Sequence, residues 1–228
     1  MLHIDILSVQ PQMFGGFLSE SIVMRASKKG ACEINIGDIT DYGIGRWHKT
    51  DDKPYGGGPG MLMRCEPLFE AVEKCLAAST SSKRARVVLT SPAGKKFTQR
   101  DAEDLSREEH VIFICGHYEG FDARIETLAT DLFSVGDFVM TGGELAAAAM
   151  TDAAVRLLPG VLGGGPAATS SESFSGEGLL EFPQYTHPVE FRGMKVPEVL
   201  LSGNHAKIEA WRKSEAKRLT HKRRPDLV

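Results

Sequence analysis

Five short apolar runs, each suited to a buried strand, alternate with helix-like segments through the first two-thirds of the chain. The runs are "HIDILSV" from residue 3, "CEINIGDI" from 32, "RVVLTS" from 86, "HVIFICG" from 110 and "VGDFVMT" from 135. Parallel strands need long, usually helical crossovers, so this alternation predicts an α/β domain with a mainly parallel sheet. Between the runs, "EPLFEAVEKCLAAS" sets Leu68, Ala71, Val72, Cys75 and Leu76 on one helical stripe, with Pro67 near the first turn. "TQRDAEDLSRE" opens with Thr98 and Asp101 at capping-box spacing. "GELAAAAMTDAAVRLLPG" predicts an alanine-rich helix stopped by Pro159 and Gly160.

The texture then changes. "GGGPAATSSESFSGEG" has almost no apolar mass and reads as a flexible linker or a mobile functional loop. In "HAKIEAWRKSEAKRL", Ile208, Trp211 and Leu219 recur at near-helical spacing with Glu215 between them, a narrow apolar stripe. The expected organisation is an α/β domain over 1–160, a linker over 161–175 and a small basic helical domain over 176–228. The net charge of −3 exerts no global pull toward nucleic acid, but the tail gathers Lys207, Arg212, Lys217, Lys222 and Arg223 with other cations against few acids. That asymmetry suits RNA phosphates and equally suits a solvated helix face.

No apolar stretch approaches the roughly 20 residues of a membrane span. The start, "MLHIDILSVQPQMF", has neither a basic leader nor a small-residue cleavage site, so a cytoplasmic address is expected. Cys32, Cys65, Cys75 and Cys115 have no paired spacing, which predicts buried, reduced thiols and no metal site.

"YGGGPGM", residues 55 to 61, lacks the Lys and Ser/Thr of a phosphate loop, and GxGxxG is absent, so its glycines must serve positive-φ turns or close backbone approach. One theme repeats: "LTSPAG" (89–94), "ICGHYEG" (114–120) and "VGDFVMTGGEL" (135–145) each give a strand end onto a small, Gly-bearing loop. Ligands of open α/β sheets collect outside the carboxyl ends of strands, so three such loops together predict a backbone-lined pocket. Glu119 suits a ribose or an amine there, and equally an Arg in a structural ion pair. Asp122 and Arg124 are too close in sequence to face one another on a helix and are not read as an ion pair; Asp152 and Arg156, four apart, are an ordinary helical pair. Glu172, in "SSESF", is a lone loop acid.

"DDKPYGGGPGMLM", "CGHYEGFDAR", "VGDFVMTGGEL", "RLLPGVLG", "SESFSGEGLLEFPQYTHP" and "VPEVLLSGNHAKIEAWR" occur in this order, and together they resemble the bacterial tRNA (guanine-N1)-methyltransferase family over nearly the whole chain. The resemblance implies methylation of the guanosine 3′ of the anticodon from S-adenosylmethionine, with Mg2+ proposed as an assistant in relatives. It implies a SPOUT-type sheet with a deep trefoil knot, an exception to the rule against threaded loops, and a homodimer with sites built from both subunits. By the same resemblance, the knot loops bring Leu89, Thr90, Ser91, Pro92, Gly116, Glu119, Gly120, Val135, Gly136, Asp137, Phe138, Val139, Met140, Gly142 and Gly143 to the donor. Glu172 takes the place of the catalytic acid and Arg156 that of an arginine facing the charge that develops on O6. The basic tail residues become tRNA contacts.

Five positions depart from the family pattern: Glu172 stands for the usual Asp, His117 for Arg in "CGRYEG", Ala93 for Gln in "SPQG", Ala146 for Pro in "GGELPA" and His187 for Arg in "YTRP". The change at His187 removes one phosphate contact. Another SPOUT methyltransferase acting on ribosomal RNA or a ribose oxygen would explain the loops but not the linker and tail motifs, and a non-catalytic RNA-binding module would leave the pocket unused.

Overall fold

In the computed structural model, residues 1–79, 81–163, 169, 171–176 and 178–228 are described, and the chain divides into two units, Met1–Gly163 and Gly164–Val228. The first holds β1 (Leu2–Ser8), β2 (Cys32–Asp38), a short antiparallel pair β3 (Asp51–Asp52) and β4 (Leu62–Met63), β5 (Arg86–Lys96), β6 (His110–Cys115) and β7 (Asp131–Ser134). The main sheet runs β2-β1-β6-β5-β7, and every neighbouring pair in it is parallel.

Successive side chains of a strand point to opposite faces, and two cores follow from that. On one face Leu2, Ile4 and Ile6 of β1 and Val111, Phe113 and Cys115 of β6 meet α2 (Ser21–Lys28), α4 (Gln99–Ser106) and α5 (Glu144–Val155) through Ala26, Leu105, Ala147, Met150 and Ala154; α1 (Gly15–Ser19) adds Phe17 and Leu18 at its edge. On the other face Leu7, Val87, Leu89, Ile112 and Ile114 meet Leu68, Ala71 and Val72 of α3 (Cys65–Ala78). β6 is buried at all of its positions, as a central parallel strand covered on both faces must be.

Local chemistry sets several element ends as the sequence predicts. Thr98 and Asp101 form the reciprocal capping box that starts α4. Three expectations are corrected. Leu76 is 39% exposed at the last turn of α3. The fifth strand is not "VGDFVMT" but the preceding Asp131–Ser134. Beyond Ser134 the backbone turns locally: the Ser134 hydroxyl donates to the Gly136 carbonyl at 2.8 Å, and the Phe138 N–H donates to the same carbonyl at 2.9 Å, so groups a ladder would need are already used. Finally, "LTSPAG" is not a loop after a strand. It lies within β5, where Thr90 and Lys95 both register with Phe133 and residues 91–94 bulge outward.

The second unit carries the hairpin β8 (Glu190–Phe191) and β9 (Met194–Lys195), then α6 (Glu198–Leu201) and α7 (His205–Arg223). Asn204 caps α7 by accepting the Lys207 N–H at 3.1 Å. Ile208, Trp211, Glu215 and Leu219 are its half-buried stripe, and Thr220 is buried where its hydroxyl oxygen accepts the Leu180 N–H at 2.9 Å. Much of the expected linker, residues 164–168 and 170, lies outside the described residues. No helix among the described residues is long and apolar enough to cross a membrane.

Candidate functional site

At the carboxyl edge of the parallel sheet a cavity of about 410 Å3 is walled mainly by three segments, 90–93 from the β5 bulge, 116–121 after β6, and 132–135 with 138–143 from β7 into the loop before α5. Of the residues expected at a donor site, Thr90, Ser91, Pro92, Gly116, Glu119, Gly120, Val135, Phe138, Val139, Met140, Gly142 and Gly143 line it. Leu89, Gly136 and Asp137 do not: Leu89 is fully buried in the α3-side core, Gly136 sits in the turn after β7, and Asp137 faces out to pair with Lys96 at 2.9 Å.

Glycine is required where the segments cross. The Gly143 N–H donates to the Gly116 carbonyl at 2.7 Å, and a β-carbon on Gly143 would run into the Thr90 hydroxyl. On Gly116 it would stand 3.0 Å from the Thr90 carbonyl oxygen. Side-chain-free backbone is thus what lets three chain segments close on one volume. Tyr118 lies in the left-handed region at φ 58°, a strained setting for an L residue that the flanking turn holds.

The Gly-rich stretch 56–60 meets this wall at Gly60. Gly56, Gly57, Gly58 and Gly60 all have positive φ, which meets the expectation for "YGGGPGM". Gly60 rests against the side chain of Glu119, and the strand-like exchange Glu119 N–H to Met61 carbonyl (3.0 Å) and Met63 N–H to Gly120 carbonyl (2.9 Å) fixes the two segments together.

Among the described residues the cavity lining holds Glu119 and Glu126 and no Lys or Arg, so His117 is the described lining side chain able to become cationic. A site of this charge favours a positively charged ligand. The donor-site residues expected from the sequence left out Ala93, His117, Tyr118, Phe121, Glu126, Leu132, Phe133, Ser134, Thr141 and, on α5, Ala146 of the lining. Leu132–Ser134 were missed because the strand was expected four residues later; turns deliver most of the others, and no periodicity marks a turn. Asp122 and Arg124 also need correction: they pair at 2.6 Å, because Asp122 is not on a helix but caps the 3-10 turn Ala123–Leu128, where its carboxylate also accepts the Arg124 N–H at 2.9 Å. Hydrogen bonding to Arg124 holds the Asp122 carboxyl far below the usual carboxylate range.

Arg156 is half-buried at the C-terminal end of α5, in the first unit, and does not line the cavity; Glu172 is half-buried in the second unit, where its carbonyl accepts the Ser175 N–H at 3.1 Å. Lys207, Arg212, Lys217, Lys222 and Arg223 are exposed on α7. The first four recur every five residues, and each such step turns about 140° around a helix, so they spread around α7 rather than forming a single stripe. Arg212 lies 4.9 Å over the Phe182 ring. Among the described residues, no group of three or more His, Cys, Asp and Glu side chains is placed to hold a metal ion.

A parallel sheet that opens at its carboxyl edge onto a glycine-lined cavity defines an α/β protein built to hold a small ligand there. The chain belongs to the family described as tRNA (Guanine-1)-methyltransferase TrmD, whose model it matches over residues 2–228. It is 52% identical to the tRNA (guanine-N(1)-)-methyltransferase of Levilactobacillus brevis, with 100% of this chain and 89% of that protein aligned. It is 51% identical to the protein of that name from Geobacillus kaustophilus, covering 91% of it, and 50% identical to the one from Listeria welshimeri, covering 92%.

Proposed function

We propose that this chain transfers a methyl group from S-adenosylmethionine to N1 of the guanosine immediately 3′ of a tRNA anticodon. The observation that carries the reading is the cavity at the sheet's carboxyl edge, in a chain half-identical from end to end to relatives named for this reaction. The residues present fit the donor. A volume of about 410 Å3 suits a ligand of that size, Gly116, Gly142 and Gly143 let the walls pack more closely than a β-carbon would allow, and Glu119 and Glu126 suit its positive charge.

When bound, S-adenosylmethionine supplies a methyl group on a positively charged sulfur, which leaves as a neutral thioether as the methyl moves to N1. Guanine N1 carries a proton at neutral pH, and Glu172 accepts it as the new N–C bond forms. Arg156 faces O6, where negative charge grows, and a guanidinium there lowers the barrier most in a site closed to water. The backbone groups of the three cavity segments orient the donor, and alignment of the reacting atoms supplies much of the remaining acceleration.

In this reading the three segments of the cavity wall form a deep trefoil knot, and residues 176–228 bind tRNA through Lys207, Arg212, Lys217, Lys222 and Arg223. Two copies of the chain complete each site, Mg2+ assists, and the enzyme works in the cytoplasm.

The test is methyl transfer from labelled S-adenosylmethionine to a tRNA transcript with G after the anticodon, beside one with A there, a Glu172→Gln enzyme and a chelator arm. Label at N1 of the G transcript alone, lost with Glu172→Gln, is expected. Label on the A transcript, or on ribose, would sink the assignment.

A further inference from the structure

Beneath the rim of the cavity lies a polar cluster that the proposed transfer does not use. Glu144, the first residue of α5, is only 2% exposed, and its Oε1 accepts the hydroxyl of Ser8, the last residue of β1, at 2.7 Å. The same oxygen lies 3.8 Å from Nδ1 of His117, a buried nitrogen with no hydrogen-bond partner among the described residues. Gly142 passes between the two: a β-carbon there would run into the Glu144 carboxylate and stand 2.8 Å from His117 Nδ1. His117 and Gly142 also pair as an isolated antiparallel bridge.

A buried carboxylate facing a buried, unpaired ring nitrogen is costly to both. It becomes favourable when the imidazole is protonated and the gap closes by about 1 Å into a charge-assisted bond. Imidazole is the side chain whose ordinary titration falls between pH 5 and 8. The groups around it are Ser8 on β1, Thr90 on β5, Tyr118, whose ring stands edge-on at 4.9 Å, and the cavity carboxylates Glu119 and Glu126. The buried Cys115 thiol, pushed well up by burial and then by the Glu144 charge, stays neutral beside them.

We propose that Glu144 is a positioning residue of the donor cavity that acts through His117: the protonated imidazole and the carboxylate draw together across Gly142 and hold Gly142–Gly143 against Gly116. Glu144 touches no reacting atom; it sets the wall that grips the donor. The inference rests on the donor-site reading above.

The test is calorimetric binding of S-adenosylhomocysteine to the full chain between pH 6 and 8. This probe lacks the sulfonium charge, so direct repulsion by an imidazolium does not mask the effect, and its own ionisations are common to every variant. Wild-type affinity should tighten about five-fold from pH 8 to pH 6. His117→Gln should bind weakly with that dependence gone, and His117→Arg, a permanent cation, should bind tightly at both ends. Glu144→Gln should abolish the dependence while leaving His117 in place. If Glu144→Gln does not fold, the contrast of His117→Gln with His117→Arg decides. The same pH dependence in wild type and His117→Gln would overturn the inference. Absence of binding by the wild type at every pH would instead overturn the donor-site reading on which it stands.

Discussion

Gly60 packs against the carboxyl end of Glu119 so closely that any β-carbon at position 60 would displace it, and its φ of +75° is one that L side chains rarely adopt. The Gly-rich stretch far upstream in sequence therefore fixes where a cavity carboxylate stands. Gly60→Ala should weaken S-adenosylhomocysteine binding about ten-fold, from the roughly 1–2 kcal/mol of left-handed strain and the displaced carboxylate. Titration calorimetry beside a thermal melt reads it; unchanged affinity in a folded variant would show that Glu119 does not need this wall.

Arg156, in the first unit, does not line the cavity, and the proposed transfer gives it and Glu172 roles toward guanine rather than toward the donor. Glu172→Gln and Arg156→Lys should therefore lower kcat by about 100-fold or more while leaving S-adenosylhomocysteine affinity as in wild type. Single-turnover methyl transfer and calorimetry on the same preparations separate the two effects. Loss of donor binding along with turnover would remove the assigned roles.

Arg86 grips Asp131 through two bonds of 2.6 and 2.7 Å where β5 and β7 meet. Burial alone would raise the Asp131 carboxyl, but hydrogen bonds from Arg86 and Thr130 outweigh it and hold the group below the usual range. A carboxyl with a depressed folded value contributes stability above its unfolded value near 3.9, and that contribution is lost as pH falls through the folded value. Asp131→Asn should cost about 1–3 kcal/mol at neutral pH, with the gap to wild type narrowing in acid. Urea unfolding at neutral and acidic pH measures it; a gap independent of pH would assign the loss to packing.

The five exposed cations of α7 should each contribute salt-dependent, sequence-independent affinity if they meet phosphates. Lys222→Ala with Arg223→Ala should weaken binding to matched and mismatched tRNA alike and reduce the slope of log K against log salt by about two. Filter binding across a salt series gives the slope. Because the cations are spread around the helix, a single substitution that abolished binding would be inconsistent with this picture.

All four cysteines are free, and burial is the leading reason each thiol is shifted upward, with Cys75, next to Asp5, pushed up to about 12. Thiolate is the reactive form, so alkylation of the native protein at pH 8 should be much slower than of the unfolded chain, and slowest at Cys115. Cys32 and Cys115 are buried as the sequence predicts, whereas Cys65 and Cys75 are only half-buried; mass spectrometry after timed iodoacetamide treatment reports each site, and rapid labelling of native Cys75 would contradict the upward shift of its thiol.

Much of the architecture was legible in the chain itself, because it rests on local physics. The α4 capping box needs only Thr98 and Asp101 three residues apart, the strands need only short apolar runs, and the turns of "YGGGPGM" need residues without a β-carbon. The family, too, was carried by motifs that can be read in order. Tertiary contacts decided the rest. "VGDFVMT" is apolar enough for a strand, yet the sheet takes Asp131–Ser134, because Phe133 pairs with β5 while Ser134 and Gly136 turn the chain away into the cavity wall. Asp122 meets Arg124 because a cap, not a helix, holds it. The juxtapositions of Gly60 with Glu119, and of Ser8, His117 and Glu144, span dozens of residues of sequence. No spacing rule predicts such contacts, since they exist only once the parallel sheet brings its carboxyl ends to one edge.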